Sequence, residues 1–151
     1  MLLPAVAEGA SKVGRDAGEV DLLVPVLTIV GDSEEEKAAS RAFCRQQVAF
    51  YGSTPNYAFQ FDLLGFEGAT TKIRQCQKAG DMAGMSDVIS DEILQHYTTE
   101  ASWDDLADKL VDRYQGVAER LIIYTAGMDY ARDPSSIGRW GEVARAVVAR
   151  A

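Results

Sequence analysis

Apolar positions set the rhythm of this chain from its first residues. Leu3, Val6, Ala10 and Val13 recur at helical spacing, which predicts a helix that Gly14 stops. Pro4 is tolerated there because it lies in the first turn, where its missing amide has no partner to lose. The rhythm then changes. Val20-Asp21-Leu22-Leu23-Val24-Pro25-Val26-Leu27-Thr28-Ile29-Val30-Gly31 is β-branched and almost continuously apolar, as in a strand buried on both faces of a parallel sheet. Pro25 would cost a ladder hydrogen bond in mid-strand, so the regular strand is expected over residues 26–30.

Ser33 followed three residues later by Glu36 is a capping-box pattern, and it opens a helix expected to run to residue 51. Its inner face reads as Ala39, Ala42, Phe43 and Phe50. Gly52-Ser53-Thr54-Pro55 breaks it. A short helix follows with Tyr57, Phe61 and Leu64 on one face, then helices over residues 69–78 and 86–96, the latter burying Ile89 and Ile93. Ser102 caps a helix whose stripe is Trp103, Leu106, Leu110, Val111 and Tyr114, ended by Gly116. The second strand lies in residues 118–125, and a last helix uses Ile137, Trp140, Ala144 and Val147. Strands alternating with helices imply a helix-rich α/β protein with a parallel sheet. No repeat or linker divides the chain, so residues 1–151 read as one unit. Two buried strands without neighbours leave open hydrogen-bonding edges. The pattern is that of a slice of a larger α/β sheet or barrel.

Composition narrows the classes. With 151 residues, 47% hydrophobic and 25% charged, the chain is too apolar for disorder and long enough for a core. It has no apolar run of about 18 residues that would span a membrane. Its start lacks the basic region of a secretory signal. The net charge of -8 argues against nucleic acid as a partner. Much of the acidity lies at helix starts, in Asp32-Ser33-Glu34-Glu35-Glu36 and Asp104-Asp105, where the helix dipole favours it. Two cysteines, Cys44 and Cys76, and one histidine make neither a disulfide framework nor a metal site, which points to a reducing, cytoplasmic setting. His96 has Glu92 on the same helix face, short of the three or four ligands a metal takes. It reads as an exposed residue of a helix end. Cys44 reads as core and Cys76 as more exposed.

Val13-Gly14-Arg15-Asp16, between the first helix and the first strand, is similar to a turn of the luciferase-like flavin and deazaflavin oxidoreductases. Phe50-Tyr51-Gly52-Ser53-Thr54-Pro55-Asn56-Tyr57, Gly65 and Ile89-Ser90-Asp91-Glu92 resemble the coenzyme F420-dependent branch of that family. Met82, in Asp81-Met82-Ala83-Gly84-Met85, departs from the family, whose members often carry Trp there. The resemblance implies a (β/α)8 barrel of which this chain is the C-terminal portion, an incomplete TIM barrel with the last two strands and a helical insertion. Residues 3–13 would be the sixth helix, 26–30 the seventh strand, 34–114 the seventh helix with its insertion, 121–125 the eighth strand and 137–149 the closing helix.

The same resemblance implies hydride transfer between a reduced deazaflavin, F420 (or FMN in its place), and a small organic substrate. The chain alone would lack most of the active site, including an upstream glycine-rich phosphate loop, and no catalytic residue is identified. Positions at the ends of barrel strands would be Gly31 and Thr125 with Gly127; the glycines either admit a ligand or serve turn geometry. Tyr51, Ser53, Thr54 and Tyr57 would sit over the barrel mouth, offering hydroxyls and rings to cofactor or substrate, or else cap a helix and pack. The expected partners are the missing N-terminal barrel portion or a second copy. A non-catalytic helical module that completes its sheet with a partner or by oligomerising is the alternative.

Overall fold

In the computed structural model, which describes residues 2–150, one strand organises the backbone hydrogen bonding. That strand, β1 (Leu23–Val30), turns alternate amides to opposite sides, as any strand must. Its N-terminal half runs parallel to β3 (Arg120–Ile123), with Leu23 opposite Arg120 and Val26 opposite Ile123. Its C-terminal half runs parallel to β2 (Thr98–Ala101), with Leu27 opposite Thr98 and Val30 opposite Ala101. The strand order is β2-β1-β3.

The sequence pattern contains no trace of β2, because Thr98-Thr99-Glu100-Ala101 has no apolar run. It is a strand through its pairing with β1, inside the stretch expected to be a helical insertion. Two further expectations are corrected. The strand β1 begins at Leu23 rather than Val26, with Pro25 inside it and opposite Ile122. Tyr124 N donates to Val26 O (3.0 Å), so the even positions of β1 face β3. The amide that Pro25 lacks therefore points to the other side, where pairing with β2 starts only at Leu27. Nor is β3 buried on both faces: Arg120 and Ile122 are exposed and Leu121 and Ile123 half-buried, the alternation of a half-covered strand.

The helices are α1 (Leu2–Lys12), α2 (Glu34–Gly52), α3 (Ala58–Leu63), α4 (Ala69–Ala79), α5 (Met82–Asp87), α6 (Asp91–Tyr97), α7 (Leu106–Tyr114), α8 (Ala126–Arg132) and α9 (Ser136–Arg150). Ala126–Arg132 was not expected from the sequence. The helix expected over residues 86–96 is two, because Ser90 caps α6 by accepting from Ile93 N (3.2 Å).

The residues pack as two compact units. One runs from Leu27 to Leu106; the other comprises the residues before it and those after it. The Leu27–Leu106 unit holds a continuous apolar core: Ile29 of β1, Cys44, Val48 and Ala49 of α2, Phe61 of α3, Ile73 of α4, Met85 of α5, Ile89, and Ile93 and Leu94 of α6. The buried stripe of α2 is Ser40, Cys44 and Val48, one step round the helix from the expected one; Phe50 is 58% exposed. Gly52 is required by close approach, since a Cβ there would lie 2.8 Å from the Phe61 ring and 3.0 Å from Ile73 Cδ1.

The second unit has its own core of Val26, Leu110, Trp140 and Val143. In it Trp140 Nε1 donates to Asp129 Oδ2 (3.2 Å), and Arg150 Nε lies 2.6 Å from Asp108 Oδ1. Burial pushes the Asp129 carboxyl above its ordinary value, against the Trp140 bond and the nearby Arg132. Of the expected stripe of α1, Ala10 is buried and Val6 half-buried, while Leu3 is 45% and Val13 71% exposed.

These burials separate two substitutions. Ile89 is fully buried, and Ile89→Ala is expected to lower the unfolding free energy in urea titrations by about 2–5 kcal/mol. Val13→Ala, at an exposed position, is expected to change it by less than about 0.5 kcal/mol.

Candidate functional site

The C-terminal ends of β1 and β2 meet the start of α2 in a closed polar network. Gly31 N donates to Ala101 O (3.4 Å). Ser33 Oγ accepts from Glu36 N (3.2 Å), and Glu36 Oε2 accepts from Asp32 N (2.9 Å), so the capping box forms. Asp32 Oδ1 accepts from Trp103 N (3.2 Å), tying the loop after β1 to the loop after β2. Trp103 thus lies ahead of α7, not on its stripe. A helix start beside a strand end is where a phosphate commonly binds. Here Glu34, Glu35 and Glu36 occupy the first turn of α2, so that position repels an anion.

Beside this network lies a 520 Å³ cleft between α2, β2 and α6. Its floor is Ile29 and Leu94, and its walls are charged. Arg41 Nη2 lies 2.6 Å from Glu100 Oε1 and 3.1 Å from Glu34 Oε2, with Lys37 Nζ 3.7 Å from the same Glu100 oxygen. Arg45 binds the Asp91 carboxylate and the Ile89 carbonyl. Burial works against the charge on Arg41, but the bonds from Glu100 and Glu34 outweigh it and hold the guanidinium above its ordinary value. Each cation already has a carboxylate, so the cleft fastens α2 to β2 and α6. The stripe Lys37, Arg41, Arg45 at four-residue spacing was visible in the sequence; its partner Glu100 was not, because β2 was not.

The seven residues singled out from the sequence do not converge. Gly31 lies just before the N-terminal end of α2 and Tyr51 near its C-terminal end, with roughly 26 Å of helix between Glu34 and Tyr51. Tyr51 is exposed and meets Phe50 edge-on at 5.4 Å. Ser53 is buried: its Oγ donates to Phe50 O (2.7 Å) and accepts from Gln77 Nε2 (3.3 Å), closing the end of α2 onto α4. Thr54 and Tyr57 are exposed around the single helical turn at Pro55–Tyr57. Thr125 and Gly127 belong to the other unit. Thr125 is fully buried, and its carbonyl accepts from Met128 N (3.0 Å) and Asp129 N (3.1 Å) at the start of α8. Gly127 faces open space.

His96 is exposed in the last turn of α6, its ring 5.8 Å from that of Phe66. Cys44 is buried, its Sγ donating to Thr28 O at 3.6 Å, and Cys76 is half-buried. Among the described residues no three His, Cys, Asp or Glu side chains are grouped to hold a metal ion. No helix among them is long and apolar enough to cross a membrane.

Residues 1–120 match the model of the luciferase-like monooxygenase family, and the chain belongs to that family. Among its relatives are uncharacterized proteins of Mycobacterium bovis and of two strains of Mycobacterium tuberculosis. Each is 30% identical over 120 residues, a stretch that is 80% of this chain. The chain spans about a third of the length of these curated relatives, 35% of each being covered. No solved structure matches it. Most of β3 and all of α8 and α9 lie beyond the family match.

The two strand-end glycines are expected to behave differently. A Cβ at position 31 would lie 2.7 Å from Glu36 Cβ and 3.0 Å from Lys37 N, so Gly31→Ala should cost about 1–3 kcal/mol. Gly127→Ala, in α8 with space around it, should be neutral or stabilising by up to about 1 kcal/mol. Urea titration of both variants measures the contrast.

Proposed function

We propose that this chain is the C-terminal portion of an F420-dependent luciferase-like oxidoreductase, whose reaction passes hydride between the reduced deazaflavin and a small organic substrate. The observation that carries this reading is the family match over residues 1–120, joined to the Phe50–Tyr57 string that resembles the F420 branch. F420, when bound, supplies the hydride; the protein's part is to orient the ring and exclude water.

The residues present do not by themselves make a cofactor site. Gly31 and the residues at the far end of α2 are too distant to touch one ring, and the acidic start of α2 offers nothing to a phosphate. The reading therefore assigns the larger part of the site to further strand–helix units of the barrel. The exposure of Leu3 and Val13 and the 35% coverage of the relatives support that assignment. On this reading the chain is inactive alone, its partner is the remaining barrel portion, and it works in the cytoplasm. A non-catalytic module that completes its sheet by association is the second reading, favoured by the pairing of every cation in the cleft.

Fluorescence titration with F420 and with FMN tests the proposal. The full-length mycobacterial relatives should bind F420 in preference to FMN, while the 151-residue chain should show saturable binding of neither. FMN preference in the relatives would overturn the F420 assignment. Tight F420 binding by the chain alone would overturn its dependence on further units.

A further inference from the structure

Three helices of the Leu27–Leu106 unit, α2, α5 and α6, are capped by the side chains of Ser33, Asp81 and Ser90, and α2 and α6 carry carboxylates in their first turns. The start of α4 has neither device. Its N-cap is Gly68, which has no side chain to offer, and its first turn holds no acidic residue. Ala69 N donates to Phe66 O (3.2 Å) and Lys72 N to Gly68 O (3.1 Å). Between them the amides of Thr70 and Thr71 have no acceptor among the described residues. Free amides at a helix start carry the positive end of its dipole. Thr70 is only 7% exposed, and its Oγ1 is buried without a hydrogen-bond partner. A buried hydroxyl is normally paired, and leaving it unpaired is costly. Cα–Cβ bonds in a helix tilt toward its N-terminus, so this side chain, on the second residue of α4, leans toward the free amides. Lys72 adds an exposed ammonium that enters no ion pair among the described residues. A Cβ placed on Gly68 would meet nothing within 4 Å, so the approach is open. Glu67, exposed and just ahead of Gly68, is the opposing charge beside it in the chain.

We propose that the start of α4 binds the terminal phosphate of a small phosphomonoester, held by the Thr70 and Thr71 amides, the Thr70 hydroxyl and Lys72. The inference does not rest on the cofactor reading. Two amides, a hydroxyl and an ammonium all donate, which is the complement of an oxyanion rather than of a neutral or cationic group. A phosphate seated on the amides gives the buried hydroxyl the acceptor it lacks, and its charge is met by both the helix dipole and the ammonium. These donors engage three phosphate oxygens and leave the fourth to carry the ester. The start of α2, by contrast, fills its own first turn with Glu34, Glu35 and Glu36 and needs no external anion.

Amide NMR spectra of the 151-residue chain, titrated with inorganic phosphate and with methyl phosphate, test it. Both probes should shift the Thr70 and Thr71 resonances saturably, with similar midpoints. Thr70→Val replaces the hydroxyl by a methyl group of the same shape, so in urea it should be at least as stable as wild type. It should nevertheless raise the dissociation constant for methyl phosphate about tenfold, through loss of one charge-assisted hydrogen bond. Lys72→Gln should also weaken binding, and Glu67→Gln should strengthen it. Shifts that grow linearly with concentration, or that spread equally over other helix starts, would mean an adventitious ion only and would overturn the proposal. So would binding of inorganic phosphate but not of methyl phosphate, or a folded Thr70→Val chain that binds as wild type does.

Discussion

Alternate amides of one eight-residue strand determine what else can form. The even positions of β1 bond to β3 and its later odd positions to β2, so each half of the strand is held from a different side. A peptide unit has a single donor and a single acceptor, and each can face only one way. The two neighbours differ in what their own residues supply: β3 carries the apolar run Leu121-Ile122-Ile123, whereas β2 is four residues with a glutamate and two threonines. β2 owes its extended conformation to β1, and the loops that tie the strand ends together, through Asp32 and Trp103, depend on β2 being in register.

The elements legible in the sequence were those whose signal is local. The capping box at Ser33 and Glu36 fixed the start of α2 within a residue, and the glycines fixed where α1 and α7 stop. What failed was non-local. The strand Thr98–Ala101 is made by its partner, and no window of its own residues reveals it. On α2, Phe50 was placed on the inner face and is 58% exposed, and Ser40 was left off it and is buried, whereas Cys44 is core as its apolar neighbours suggest. Size attracts attention, but burial follows helical position. Ser53 shows the same limit at the candidate site: its hydroxyl suggested a ligand contact or a cap, and the capping role, at the end of α2, is the one its two hydrogen bonds fill. Gly31 was placed correctly at a strand end, but the reason for glycine there is the approach of α2.

Family membership and the site's geometry bear on each other. A luciferase-like chain would be expected to present a cradle at its strand ends, and this one presents carboxylates and paired cations. The charged cleft is therefore better understood as a clamp on α2 than as a receptacle. Exposed or partly exposed pairs of this kind are individually worth little, about 0–1 kcal/mol. Their value is positional: Arg41 and Lys37 converge on one carboxylate of a strand that has few other anchors.

Pro25 makes the two flanks of β1 unequal. It cannot donate on the β2 side, so a strand paired there would lose one ladder bond at residue 25, and β2 pairs only from Leu27. The ring leaves the β3 side untouched, where the amides of Val24 and Val26 continue the ladder. A strand that slips toward the N-terminal half on the β2 flank meets a gap in its ladder that one on the other flank does not, which is a brake on misregistered association.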